Sequence, residues 1–256
     1  MTDLMPVLFV GHGSPMNAVE DNEFSREWAK VGKFLPTPQA ILCISAHWET
    51  TGTRITAMPE PATLYDFQGF PKELYEKRYP APGDPELARS IKKSLSDVVV
   101  HLDLGWGLDH GTWSVLSWMF PQADIPVLQL SLDFDQGPPY HYGLGQKLKY
   151  LRNQGILILG SGNMVHNLRA MVWKDTVFDW AEEFDTRLTE AIQSGDHQTL
   201  ISYEGMGDKA HLAVPTNEHF LPLFYVLALQ EPSDAVHFFC DRVTLGSISM
   251  RSIQFG

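Results

Sequence analysis

Short, branched apolar runs alternate along the chain with longer stretches in which apolar residues recur at helical spacing. The runs Val7–Val10, Ala40–Ala46, Val98–Leu102, Ile125–Leu132 and Ile156–Gly160 have the length and β-branching of buried strands. Between them, Asn22–Phe34, Pro85–Ser96, Tyr140–Asn153 and Phe178–Ser194 carry a helical period, and Gly155 supplies a stop after the third. Alternating strand and helix predicts an α/β fold, with a central mostly parallel or mixed sheet flanked by helices on both faces. Toward the C-terminus, Val236–Cys240, Arg242–Leu245 and Ser247–Ile253 read as strands that return to the sheet in mixed or antiparallel fashion. The Gly- and Pro-rich passages Met58–Pro71, Tyr79–Pro85 and Asp133–Pro139 read as loops, and loops of such length often wall a site. No internal repeat or low-complexity tract interrupts the pattern.

With 256 residues, 44% of them hydrophobic, the chain can bury a substantial core as one α/β domain. A formal net charge of -12 and a pI near 5.2 argue against nucleic-acid binding, which needs clustered Lys and Arg to neutralise phosphates. Small neutral, zwitterionic or weakly acidic substrates fit that balance. Cys43 lies inside the apolar run Ala40–Ser45 and Cys240 follows Phe238-Phe239, so both read as small buried hydrophobes, not as a disulfide pair. The start, Met1-Thr2-Asp3-Leu4-Met5-Pro6, has no basic segment followed by a long apolar one, and no stretch approaches the roughly 20 apolar residues that span a bilayer. A soluble, cytoplasmic protein without membrane contact is the expectation.

The chemistry lies in the histidines. Five of the ten sit in sequences shaped like strand exits or helix starts: His12, His47, His110, His166 and His219. His12, flanked by Gly11 and Gly13, follows the first strand, and His47 follows the strand Ala40–Ala46. Both fall beyond carboxyl ends of strands, where open α/β sheets place their sites. If those two strands are neighbours, the imidazoles can share one metal. His166 follows Ile156–Gly162 and reaches the same edge. One such histidine alone is ordinarily a loop residue bonded to backbone; three matching placements argue for a site. Glu218-His219 is expected to begin the helix that runs through Leu221, Leu223, Phe224 and Leu227, after Pro215 and with Thr216 as N-cap. Either Glu218 or His219 could complete a metal site: two histidines and a carboxylate suit non-haem Fe(II), three histidines suit zinc. His110 sits beside Asp109, a candidate outer carboxylate, and Thr112, a candidate helix cap, and its expected task is acid–base or hydrogen-bonding work. Trp48, Trp106 and Trp113 read either as an aromatic pocket wall or as core. His101, His141, His197, His211 and His237 lack this context and read as structural or surface residues, with His211 the closest to a motif.

The motifs Gly11-His12-Gly13-Ser14-Pro15-Met16, Ser45-Ala46-His47-Trp48, Pro80-Ala81-Pro82-Gly83, Asp109-His110-Gly111-Thr112-Trp113, Ser161–Leu168 and Pro215–Leu223, in this order over nearly the whole chain, resemble the class III extradiol ring-cleavage dioxygenases, and within them the 4,5-DOPA dioxygenase branch. The resemblance implies one catalytic domain over residues 1–256, an α/β fold with a mixed sheet, and one non-haem divalent metal on His12, His47 and His219, with His219 preferred over Glu218. It implies Fe(II) for activity, with Zn(II) a plausible metal as isolated. His166 resembles the acid–base histidine and, in metal-loaded members, a possible fourth ligand. His110 resembles the histidine that hydrogen-bonds substrate or the oxygen-derived group. The implied reaction takes a small aromatic diol and O2 to a muconic semialdehyde, in a monomer or small homo-oligomer. Where many plant members carry His-Pro ahead of the last motif, this chain has Ala213-Val214-Pro215, which points to bacterial-type, broader catechol use. Two other readings of the same residues are a zinc hydrolase built on the histidines and a non-catalytic binding or signalling relative of the fold.

Overall fold

A computed structural model describes residues 4–256, so the sequence reading of Met1-Thr2-Asp3 lies outside the described residues. Six strands, β1 (Val7–Gly11), β2 (Ala40–Ser45), β3 (Val127–Gln129), β4 (Ile156–Gly162), β5 (Val236–Phe239) and β6 (Ser252–Phe255), form one sheet in the order β3-β2-β4-β1-β6-β5. The first four in that order run parallel, β6 lies antiparallel to β1, and β5 lies antiparallel to β6. The expected mixed α/β sheet is therefore present.

The central strands are apolar throughout because both faces are covered. Successive side chains of a strand point to opposite faces, and here they enter two separate cores. Val7, Phe9, Leu42, Ile44, Ile156 and Ile158 join one, whereas Leu8, Val10, Ile41, Cys43, Leu157 and Leu159 join the other. Helices α1 (Glu23–Phe34) and α3 (His110–Met119) close the second face with Trp28, Trp113, Leu116 and Met119. Helices α2 (Pro85–Ser94), α4 (Pro138–Lys147), α5 (Asp179–Ser194) and α6 (Leu221–Ala228) close the first. Helix α6 is apolar all round and wholly buried, as expected of an interior helix. The helix starts follow sequence chemistry: Asn22 and Ser25 form a reciprocal capping box on α1, and Asp84 caps α2 with Pro85 in its first turn. Gly155, at φ 72°, turns the chain into β4.

Several elements differ from expectation. The Val98–Leu102 run forms a strand over Val100–Asp103, but it leaves the main sheet and pairs with an unpredicted strand, Thr53–Thr56. The Ile125–Leu132 run divides: Val127–Gln129 stays in the main sheet, and Leu132–Asp133 pairs with Glu49–Thr50. The Tyr140–Asn153 helix starts earlier, at Pro138 whose fixed φ suits a first turn, and breaks before a short helix at Tyr150–Asn153. Ser247–Ile253 divides as well, Ile248–Ser249 pairing with Val243–Thr244 across a turn at Leu245 and Gly246, both at positive φ, before β6 begins. Cys43 and Cys240 are free and buried, as expected. Among the described residues no helix is long and apolar enough to cross a membrane.

His141 on α4 is fully buried against the Tyr225 hydroxyl, 3.0 Å from its Nδ1. Burial pushes this imidazole down to about 4, whereas an unfolded histidine titrates near about 6.5. Above that value both states are neutral and the group's contribution is fully present. As pH falls below it the unfolded chain takes up a proton that the folded chain refuses, a loss of about 1.4 kcal/mol per pH unit that ends near the folded pKa. Urea midpoints at pH 7.5 and 5.0 are expected to show this loss, and His141→Gln is expected to make the dependence shallower.

Candidate active site

The carboxyl ends of β1, β2 and β4 meet at one edge of the sheet, and the histidine motifs arrive there. His12 follows β1 directly and His47 stands two residues beyond β2. These strands are not neighbours, the condition under which the two rings were to share a metal; β4 runs between them. Strands spaced about 4.8 Å apart put β1 and β2 two spacings, about 9.6 Å, from each other. Both side chains nonetheless lean over the end of β4, and their Nε2 atoms stand 3.0 Å apart.

Gly162 also admits the last motif. A Cβ there would lie 2.1 Å from the carbonyl oxygen of His219, and the next amide, Asn163 N–H, donates to that same oxygen at 2.8 Å. The turn carrying His219 is thus clamped to the end of β4. Helix α6 begins only at Leu221, three residues past the expected start at Glu218, because Pro222 offers no N–H to continue the helix back toward Glu218. Thr216 bonds the Glu218 carboxylate at 3.0 Å and caps no helix.

His12, His47 and His219 form a nearly equilateral triangle, with ring centroids 4.9, 5.0 and 5.3 Å apart. Nitrogen binds zinc at about 2.0–2.1 Å, which sets two rings on one ion about 4.5 to 5.2 Å apart at their centres for octahedral to tetrahedral angles. The triangle fits that span. His110 joins the group differently: its donor nitrogen lies within 4.8 Å of those of His12 and His47, but its ring is 3.9 Å from His47 and 5.6 Å from His12. His166 stacks on His219, centroids 3.5 Å apart and planes 10° from parallel, and forms a second donor group with Glu218 and His219.

Each ring of the triangle has an acceptor behind it. Ser161 Oγ donates to Gly111 O at 2.5 Å and so accepts from His12 Nδ1 at 3.0 Å. His219 Nδ1 donates to Glu218 Oε1 at 3.0 Å, and His47 Nδ1 faces Asp66 Oδ2 at 3.4 Å. The bonds to Ser161 and Glu218 favour the proton on Nδ1 of His12 and His219, which leaves Nε2 of those rings free to bind a cation. Burial, then the neighbouring imidazoles, holds His12 and His219 well below the ordinary histidine range, and burial followed by His110 brings His47 down to about 3. The rings are therefore neutral at pH 7, the form that binds metal. Burial lowers His166 to about 4, partly opposed by Glu218. His12, His110 and His219 are buried; His47 and His166 are only partly so and face the opening.

Asp109 and Thr112 do other work than expected. Asp109 is the N-cap of α3, accepting from Thr112 N–H at 3.1 Å, and its carboxylate also receives Ser45 Oγ and Gln129 Nε2 at 2.7 and 2.6 Å. Thr112 lies inside the helix. The carboxylate on the His110 ring is Asp66, with Oδ2 2.8 Å from Nδ1 and Oδ1 accepting the His110 N–H at 2.9 Å. Asp66 and Ser161 were not singled out from sequence; Asp66 sits within the Met58–Pro71 loop, the only signal available. Burial raises the Asp66 carboxyl, but its bond to His110 and the charges of His110 and His47 outweigh this and bring it below the usual carboxylate range. Trp113 is core, and Trp48 stacks on Trp106 with centroids 5.7 Å apart. The remaining histidines stay outside both donor groups: His101, His211 and His237 are exposed, and His141 and His197 bond Tyr225 and Tyr142.

Residues 6–245 match the family described as the catalytic LigB subunit of aromatic ring-opening dioxygenase. The chain belongs to this LigB family. It is 44% identical to the 4,5-DOPA dioxygenase extradiol of Escherichia coli K12, over 98% of this chain and 95% of that protein, and 40% identical to the Beta vulgaris protein of the same name, over 86% and 85%. A crystal structure of an uncharacterised Escherichia coli K12 protein superposes with a TM-score of 0.84 at 41% identity, covering 98% of this chain and 100% of that one. LigB membership makes the chain an aromatic ring-opening dioxygenase, sets aside the hydrolase and binding-protein readings, and implies a metal.

Gly162→Ala is expected to push the His219 turn off β4. Zinc titration against a chromophoric chelator should show affinity lowered about tenfold or more, and thermal unfolding should show a loss of about 1–3 kcal/mol from overpacking.

Proposed function

We propose that the chain, acting as one catalytic domain over residues 1–256, cleaves a catechol of the L-DOPA type beside the diol and places both atoms of O2 in a muconic semialdehyde. The observation that carries this reading is the triangle of neutral imidazoles, with Nδ1 of His12 and His219 hydrogen-bonded from behind and Nδ1 of His47 facing Asp66. His12, His47 and His219 would hold one divalent metal through Nε2, Fe(II) in the active enzyme and Zn(II) as an isolated form. Bound there, the metal supplies a common centre for diol and dioxygen, offsetting their encounter entropy and passing electrons between them.

The protein's own groups do the rest. His166, neutral and with its ring half-buried at the opening, takes the catechol proton. His110, held on Asp66 through Nδ1, presents the Nε2 lone pair to the substrate; it accepts the hydrogen bond of a substrate hydroxyl and, once that proton has passed to Nε2, returns it to the reacting oxygen. The buried rings of His12, His110 and His219 keep bulk water from the reacting face. The approach of His166, Glu218 and His219 donors within 4.8 Å favours a second reading of His166 as fourth ligand; the parallel stack on His219 favours the acid–base role.

The test is anaerobic Fe(II) reconstitution, then air with L-DOPA and a small catechol panel, recording oxygen uptake and the yellow semialdehyde. One O2 per catechol is expected. His219→Ala should lose bound zinc and activity together. His110→Ala and His166→Gln should keep zinc while kcat falls about 10²–10⁴-fold. Zinc lost from His110→Ala and kept by His219→Ala would move the ligand set to His12, His47 and His110; zinc lost from His166→Gln would make His166 a ligand. No oxygen uptake by folded, iron-loaded protein would overturn the dioxygenase assignment.

A further inference from the structure

Asp66 enters the site from a segment without helix or strand, and its backbone is exposed while its side chain, 17% exposed, turns inward between two rings. The segment is held firmly. Leu64 N–H donates to Leu108 O and Leu108 N–H to Ala62 O, both at 2.7 Å, and Trp113 Nε1 donates to Leu64 O at 2.8 Å. Phe67 sets its ring edge-to-face against His110 at 5.4 Å. These contacts fix where the carboxylate points.

The other clustered rings that bond an acceptor have one each, Ser161 for His12 and Glu218 for His219. His47 and His110 differ: both direct Nδ1 at the same oxygen, Asp66 Oδ2, at 3.4 and 2.8 Å, and their rings stand 3.9 Å apart. Oδ1 is taken up by the His110 backbone N–H at 2.9 Å, so the carboxylate cannot rotate to serve one ring without releasing that bond. We propose that Asp66 is a positioning residue for ring opening: its two hydrogen bonds to His110 fix the proton on Nδ1 of that ring and keep Nε2 turned into the site, and the same Oδ2, 3.4 Å from Nδ1 of His47, sets that ring's neighbour as well. This rests on the dioxygenase reading, in which His47 holds the metal and His110 faces the substrate oxygen.

The chemistry of an amide at this position gives a sharp test. In Asp66→Asn, the amide oxygen can keep the His110 N–H, which leaves the NH2 group facing both Nδ1 atoms. An NH2 donor requires a lone pair on His110 Nδ1, so the His110 proton moves to Nε2. His47 Nδ1 loses the carboxylate charge it faces at 3.4 Å. A residue that merely anchored the loop would change neither, because the backbone bond survives.

The experiment uses the full chain loaded with Zn²⁺ and labelled with ¹⁵N-histidine, with long-range ¹H–¹⁵N spectra to read each tautomer. Zinc affinity against a chromophoric chelator and thermal unfolding are measured in parallel. The wild type is expected to show His110 as Nδ1–H. Asp66→Asn is expected to show it as Nε2–H, with zinc affinity about 10- to 100-fold lower and an unfolding temperature near wild type; Asp66→Glu should restore the Nδ1–H form. His110 found as Nε2–H in the wild type, or tautomer and zinc affinity unchanged in Asp66→Asn, overturns the proposal. The wild-type spectrum decides the point even if the amide variant does not fold. None of these readouts needs turnover, so absence of oxygen uptake would remove the dioxygenase reading and leave the Asp66 result to stand or fall separately.

Discussion

Everything at this site depends on holding imidazole protons on the outward nitrogen. Histidines crowded into a mostly buried space would repel one another if charged, and for His12, His47, His166 and His219 burial already disfavours the charged form. Neutral rings solve the charge problem and create another, since a neutral imidazole can carry its proton on either nitrogen. Ser161 and Glu218 bear on that choice for His12 and His219 through hydrogen bonds to Nδ1, and Asp66 faces Nδ1 of His47 at 3.4 Å. These are one hydroxyl and two carboxylates brought in from separate parts of the chain, so the constraint rests on geometry, not on a repeated motif.

That geometry is set by close backbone approach. The sheet brings β1 and β2 to the same edge but keeps β4 between them, and the His12 and His47 side chains meet above its end. Gly160 and Gly162 admit the backbone of α6 and of the His219 turn against the same strand. A fold feature that looks like filler, Gly160-Ser161-Gly162, thus lets the third histidine of the triangle reach the other two.

The class of fold and the five site histidines were legible in the sequence because continuous apolar runs and strand-exit histidines are local signals. The wrong guesses share one cause: they concern which element lies beside which. Nothing in Val98–Leu102 says that it pairs with Thr53–Thr56 outside the main sheet, and nothing local reveals that β4 separates β1 from β2. Asp109, beside His110 in sequence, is the natural candidate for an outer carboxylate, yet the start of a helix turns its side chain back onto Thr112 N–H, while Asp66 reaches the ring from a distant loop. Glu218 was ambiguous for the opposite reason: next to His219 along the chain, it bonds the outward nitrogen of that ring.

The neighbour of β1 on its other side is β6, made of the last residues of the chain: Val7 pairs with Phe255, and Gly11 N–H donates to Ser252 Oγ at 3.1 Å, immediately before His12. His12 comes first among the site histidines along the chain and β6, which braces its strand, follows all of them, so the site closes only when segments far apart in sequence have met. A metal bound there would stabilise the folded chain over the unfolded one.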